Sequence, residues 1–336
     1  MSGCMVRPNR KVFVVYAGLT ASGYHTVLQS SSEPAQALVE QIRSLKWPEE
    51  ALAYFQKART ETCAVNPYWP RAFLLTVAAL RLSDTCPCRY GDEDQIVRHI
   101  EDLDMIGPED RSPDTIEWIL DLPRHCDMLA AQPGLDQLWE QYLAAIDIGQ
   151  HEKAVAEAMS AVIERVGVSP DQLPTTVVIP NPLQAREVTD FVRFGGETLV
   201  VRAEPDAASC VHEILHQVFG PRIVENRAIV QEYSHLLASV YPDMLRLRYA
   251  WDNGDGSWER VFEESLMRAA EIWITHSEED CRDADRAATF QAGCGFKYVP
   301  AILQFFRTKW SGLDRFGQFL ARCLEGLAGV GFREER

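Results

Sequence analysis

No stretch of the 336-residue chain reaches the ~18–20 consecutive apolar residues of a membrane-spanning helix, so no membrane role is expected. Positive charge is also scarce: 33 Lys and Arg stand against 49 Asp and Glu, for a formal net charge of −16. Phosphate backbones are neutralised by a Lys/Arg surplus, and no basic stripe with interleaved aromatics occurs, so nucleic-acid partners are not expected. A disulfide framework is lacking as well. The nine cysteines are scattered and odd in number, and cannot all pair within one chain. Only Cys86-Pro87-Cys88 is clustered, and reduced thiols in the cytoplasm explain the pattern better than a second metal or redox site. Arg7, Arg10 and Lys11 precede the apolar run "VFVVYAGL", which is at the short end for a signal-peptide core and is followed by no clear small-x-small cleavage site. A cytoplasmic location is expected over secretion.

The composition that remains is that of a globular protein, with 46% hydrophobic residues, 24% charged residues and a mean hydropathy of −0.17. That is enough for one large or two smaller domains. Residues 11–28 fit a helix or a buried strand equally well. From about residue 33 to 166 segments such as "AQALVEQIRSL", "RAFLLTVAALRL" and "EKAVAEAMSAVIERV" place apolar residues at three-and-four spacing, the helical period. Separators such as "NPYWP" and "IGPEDRSPD" carry the breakers, and no fixed repeat period links the helices. Near residue 174 the pattern changes. "TTVVIPNPL" and "ETLVVRAE" are β-branched strand signals, with "DFVRFGG" between them as a third. Helical segments resume afterwards, among them "SWERVFEESLMRAAEIWI" and "VPAILQFFRTKW", while the acidic 276–286 stretch reads as a solvated loop or helix end. The expected architecture is α+β and predominantly helical. A mainly helical region covers 1–170, and a small sheet followed by further helices covers 171–336.

The chemistry concentrates in "VHEILHQVFG", residues 211–220. Asp206 is a helix N-cap candidate and Gly220-Pro221 a stop signal, giving a helix of about three to four turns. His212 and His216, four apart, stand one above the other on one face, where two imidazoles can reach one tetrahedral Zn²⁺. Glu213 lies beside that position and suits a general base. With eight histidines in the chain, a chance H-E-x-x-H has an expectation of only about 0.02. Phe219 and Arg222 occupy the places where the longer H-E-x-x-H-x-x-G-x-x-H pattern needs Gly and His, which excludes that class. A third ligand must come from elsewhere. Candidates are Glu225, Glu232, Glu263, Glu264 and Glu271, with His235, 19 residues after His216, as the imidazole alternative. Glu263 and Glu264 flank the apolar stripe of Trp258, Val261, Phe262, Ser265, Ala269 and Ile272, and helical geometry alone does not choose between them. Arg268, four residues after Glu264, would orient that carboxylate.

In order along the chain, "VHEILHQVFG", "YAWDNGDGSWERVFEESLMRAA" and "GFKYVPAILQFF" resemble the DUF4932 proteins, an uncharacterised bacterial gluzincin-like family, over roughly residues 175–325. The resemblance implies a thermolysin-like catalytic region with His212, His216 and Glu264 as zinc ligands and Glu213 as base. It also implies Tyr298 of "GFKYVP" as an oxyanion donor. The family commonly has Asn-Pro soon after the second histidine, where this chain has Gly220-Pro221. The implied activity is that of a zinc metallopeptidase acting on a peptide or protein substrate, with "ETLVVRAE" or "TTVVIPNPL" as a cleft-edge strand to pair an extended peptide. Two other readings fit the same residues. One is a helical protein-binding module whose zinc is structural or vestigial, its shell closed by His235 or Cys210. The other is a hydrolase of non-peptide amides or esters.

Overall fold

A computed structural model describes residues 4–24, 32–60, 66–83 and 90–329, apart from 102, 104–105, 174, 187, 195–196, 252–253, 255 and 277–279. Cys86 and Cys88 lie outside the described residues. The chain adopts the predominantly helical α+β architecture expected, with one small sheet. It forms two compact units that interleave along the sequence: Cys4–Glu152 with Thr175–Pro205, and Lys153–Pro174 with Asp206 onward. Contacts thus group the sheet with the N-terminal helices, whereas a single cut near residue 170 would place it with the H-E-x-x-H helix.

In the first unit the sheet is built from β1 (Cys4–Val6), β2 (Thr175–Pro180), β3 (Thr189–Phe194) and β4 (Glu197–Arg202), in the order β1-β2-β4-β3. β1 and β4 run parallel to β2, and β3 pairs antiparallel with β4. β2 and β4 are therefore inner strands with neighbours on both sides. This corrects the expectation that either supplies a cleft edge, because a strand already bonded on both sides has no free ladder for a peptide. Five of the six residues in each are buried, as in strands covered on both faces.

The unit's helices are α1 (Arg10–Ala21), α2 (Glu33–Ser44), α3 (Glu49–Gln56), α4 (Arg71–Arg81), α5 (Glu93–Glu101), α6 (Pro113–Leu120), α7 (Leu122–Ala130), α8 (Leu135–Ala144) and the first turn of α9 (Ile148–Val166). The ambiguous stretch after residue 10 is helix. The Asn9 side chain accepts from the Lys11 and Val12 N–H groups, and Val12 to Thr20 are buried all round, as in a central helix. The buried Asp190 of β3 accepts from the Tyr16 and Thr76 hydroxyls at 3.2 and 3.1 Å, which pins α1 and α4 to the sheet.

The second unit holds the rest of α9 and α10 (Ala207–Glu225), α11 (Arg227–Glu232), α12 (Tyr241–Arg246), α13 (Ser257–Thr275), α14 (Cys281–Cys294), α15 (Val299–Lys309) and α16 (Phe316–Gly329). α10 starts where expected: Asp206 accepts from the Ala208 and Ser209 N–H groups at 3.1 and 3.0 Å. It does not stop at Gly220-Pro221. Pro221 sits inside the helix, which continues to Glu225 and ends at Asn226, whose amide nitrogen donates to the Arg222 carbonyl. A proline removes one helical N–H, but packing of the buried Val218, Phe219 and Ile223 carries the helix through it. Phe219 stacks on Phe316 at 5.1 Å and meets Trp310 at 5.6 Å, tying the back of α10 to α15 and α16. Among the described residues no helix is long and apolar enough to cross a membrane.

Because the Asp206 carboxylate satisfies two otherwise orphaned N–H groups, Asp206→Ala is expected to destabilise the protein by about 1 kcal/mol, and Asp206→Ser by much less. Urea titration followed by circular dichroism reads the difference.

Candidate metal centre

α10 and α13 pack face to face and bring the chemistry together. His212 and His216, one turn apart on α10, turn their Nε2 atoms toward each other at 3.2 Å. Glu264 of α13 meets both, with Oε1 3.6 Å from His212 Nε2 and Oε2 3.6 Å from His216 Nε2. One ligand atom from each of these three side chains lies within 4.8 Å of the others, so the group could hold a metal ion. The site is enclosed, with side-chain exposures of 12% for each histidine and 3% for Glu264.

The other face of each ring is also held. His212 Nδ1 lies 3.0 Å from Glu271 Oε2, and His216 Nδ1 lies 2.9 Å from Glu263 Oε1. A carboxylate only accepts, so each Nδ1 carries the hydrogen, and in the neutral ring each Nε2 presents a lone pair. Two lone pairs and a carboxylate then converge on one point. Such a set is stable only around a shared cation, either protons or a metal. His212 faces Glu271 while His216 faces Glu263, so the two helices run antiparallel across the site.

Glu264 has cationic neighbours of its own. Arg268 Nη2 is 2.7 Å from Oε1, and Arg260 Nη2 is 4.0 Å from Oε2. The guanidinium of Arg268 also reaches Gln291 Oε1 at 3.1 Å and lies over the Phe296 ring at 4.1 Å. The Tyr249 hydroxyl, 3.5 Å from Arg268 Nη2, borders the same cluster.

These neighbours set the protonation. Burial works against the His212 imidazolium, but Glu264 and then Glu271 outweigh it and hold the pKa up at about 10. His216 moves upward too, as Glu263 and Glu264 prevail over burial. Burial alone would raise Glu264; Arg268 and the histidines hold it well below the ordinary carboxylate range. Glu263 is lowered, burial being overcome by its bond to His216.

The structure thus brings His212, His216, Glu264 and Arg268 together, with Glu263 and Glu271 on the outer nitrogens. Glu213, 7% exposed, lies on α10 between the two histidines in sequence and acts electrostatically on His212. Glu225, Glu232 and His235 are exposed, and Cys210 is buried outside the group. Tyr298 is 1% exposed; its hydroxyl donates to the Leu236 carbonyl at 2.6 Å and lies 2.7 Å from Ser239 Oγ. Its proton is therefore already committed within the unit. Nothing in the sequence signals the contributions of Tyr249 and Phe296, and the reading of the motif leaves Arg260 out. Arg260 does carry a signal, standing four residues before Glu264 as Arg268 stands four after. Comparison of the chain with protein-family models, curated proteins and solved structures finds no match in any of the three.

In the metal-free protein the His212 contribution to stability is complete below its ordinary pKa of 6.5 and is lost as pH rises toward about 10. The Glu264 contribution is complete above its ordinary 4.5 and is lost on acidification. The melting temperature of chelator-treated protein is accordingly expected to peak between about pH 4.5 and 6.5 and to fall on both sides. An alkaline limb that His212→Ala leaves unchanged would contradict the pairing.

Proposed function

We propose that the chain is a zinc-dependent hydrolase of the gluzincin type that cleaves peptide bonds. The observation that carries this reading is that His212, His216 and Glu264 each offer one ligand atom within 4.8 Å of the others. Ligands ~2.0–2.2 Å from a tetrahedral zinc stand about 3.3–3.6 Å apart; here the two Nε2 atoms stand 3.2 Å apart, and each lies 3.6 Å from its own oxygen of Glu264, Oε1 for His212 and Oε2 for His216. The donor set of two imidazoles and a carboxylate suits zinc, and the Nδ1 carboxylates supply the outer partners that zinc-binding histidines usually have. Among the described residues no fourth His, Cys, Asp or Glu joins the group. Three protein ligands leave a tetrahedral position open, as a catalytic site requires, whereas a structural site is closed by four. The motif resemblance to the DUF4932 proteins points the same way.

A bound zinc would acidify a water and polarise the scissile carbonyl. The protein's own groups do the rest. Glu213 accepts the proton of the attacking water and returns it to the leaving amine nitrogen. Glu263 and Glu271 fix the ring tautomers, so that both Nε2 lone pairs point inward. Arg268 keeps Glu264 ionised and oriented. Peptide is the substrate class that the motif resemblance carries; an ester or another amide would use the same groups.

Wild-type protein is expected to contain about one zinc per chain and to cleave members of a peptide library in a chelator-sensitive manner. Glu213→Gln is expected to keep the zinc and lose activity by at least about 10²–10⁴-fold. Peptide hydrolysis undiminished in that variant would refute the mechanism, and a parallel ester panel separates peptidase from esterase.

The outer carboxylates give a separate measurement. Glu263→Gln and Glu271→Gln are each expected to weaken zinc binding by about 10–100-fold, read by competition with a chromogenic chelator. Affinities equal to wild type in both would show that the Nδ1 contacts do not support the metal.

A further inference from the structure

Arg260 and Arg268 are long side chains, yet each meets a different oxygen of one carboxylate that is 3% exposed. Something must hold them in place. Arg268 lies over the Phe296 ring at 4.1 Å, and Arg260 lies over the Tyr249 ring at 5.4 Å. Both fall within the ~6 Å reach of a cation–π contact. The two rings meet edge to face, with centroids 5.3 Å apart and planes at 76°. Two perpendicular plates therefore carry two guanidinium groups. Tyr249 reaches this position through an unusual backbone. Arg248, directly before it, has φ 66°, the only non-glycine residue with positive φ among the described residues. The Met244 carbonyl then accepts from both Tyr249 and Ala250, at 2.9 and 3.1 Å. Side chains with a Cβ disfavour that region, and residues held there commonly serve a site.

We propose that Tyr249 and Phe296 are positioning residues, an aromatic pair that sets Arg260 and Arg268 on opposite oxygens of Glu264 and so fixes how that carboxylate faces His212 and His216. The inference rests on the reading of these three residues as a metal site. Its content is that the ring of Tyr249, rather than its hydroxyl, performs the work. The hydroxyl stands at the outer limit of a hydrogen bond from Arg268, while the ring faces the guanidinium of Arg260. With the plate removed, Arg260 loses the ring it lies over, and its hold on the second oxygen of Glu264 weakens.

The test is zinc affinity by chelator competition, together with the visible spectrum of the cobalt(II)-substituted protein, which reports the geometry of the metal's ligands. Tyr249→Phe keeps the plate and is expected to bind zinc within about threefold of wild type with an unchanged cobalt spectrum. Tyr249→Leu and Phe296→Leu are expected to lose about tenfold or more and to alter the spectrum. Arg260→Gln leaves both rings in place and is expected to weaken zinc in the same sense, which keeps the test intact if a leucine variant does not fold. Wild-type affinity and spectrum in the folded Leu and Gln variants would overturn the proposal, as would a loss in Tyr249→Phe equal to that in Tyr249→Leu. A wild-type protein that binds no zinc would instead overturn the metal site itself.

Discussion

Two imidazole nitrogens 3.2 Å apart, both turned toward one buried carboxylate, are the constraint on which the second unit is built. Neutral rings in that pose oppose lone pair to lone pair, so the pose survives only where a cation is shared and each ring is held from behind. Glu271 and Glu263 supply the hold, and because they stand eight residues apart on one helix they also fix the antiparallel crossing of α10 and α13. The far side of α10 is fastened by Phe219 against Phe316 and Trp310. A helix gripped by aromatic packing behind and by carboxylates in front has little freedom to turn its histidines away.

The same logic accounts for Pro221. A break at that position would free the C-terminal turn of α10, yet Ile223 is 1% exposed and Phe219 is fully buried, so both belong to the core on which the histidine face rests. Burial of two such side chains contributes about 3–6 kcal/mol, against ~3 kcal/mol for a proline in a helix interior. Packing is at least a match for the local penalty, and the helix runs on to a polar cap at Asn226.

Features with a local period were legible in the sequence. His212 and His216 at four residues, Arg268 four after Glu264, and Asp206 ahead of the helix all follow from 3.6 residues per turn. Helical geometry could not choose between Glu263 and Glu264, because both reach the site: Glu264 faces the Nε2 atoms and Glu263 the Nδ1 of His216. Glu271 was visible as a carboxylate, but its task depended on the crossing of two helices. Tyr249 and Phe296 lie 47 residues apart, and nothing in either segment signals that their rings touch. The strand signals are legible in the sequence, but the inner position of β2 depends on β1, three residues at the far end of the chain.

Charge balance narrows what the site can share. Glu264 and its neighbours Glu213, Glu263 and Glu271 bring four carboxylates, and Arg260 and Arg268 bring two guanidinium groups. With both imidazoles neutral, two negative charges remain in a site whose key side chains are only 3–23% exposed. Uncompensated charges cannot stay at such burial. Two imidazolium protons would balance them, which is the state toward which the raised His212 and His216 point. One divalent cation would balance them equally, and it would also use the converging lone pairs that two protons would cover. Protons and metal are then alternatives for the same charge deficit, so metal binding must expel protons and strengthen as pH rises. A surface cluster of acidic residues would attract a cation without that exchange. Here the exchange is imposed by the geometry, because the atoms that would hold the metal are the atoms that hold the protons.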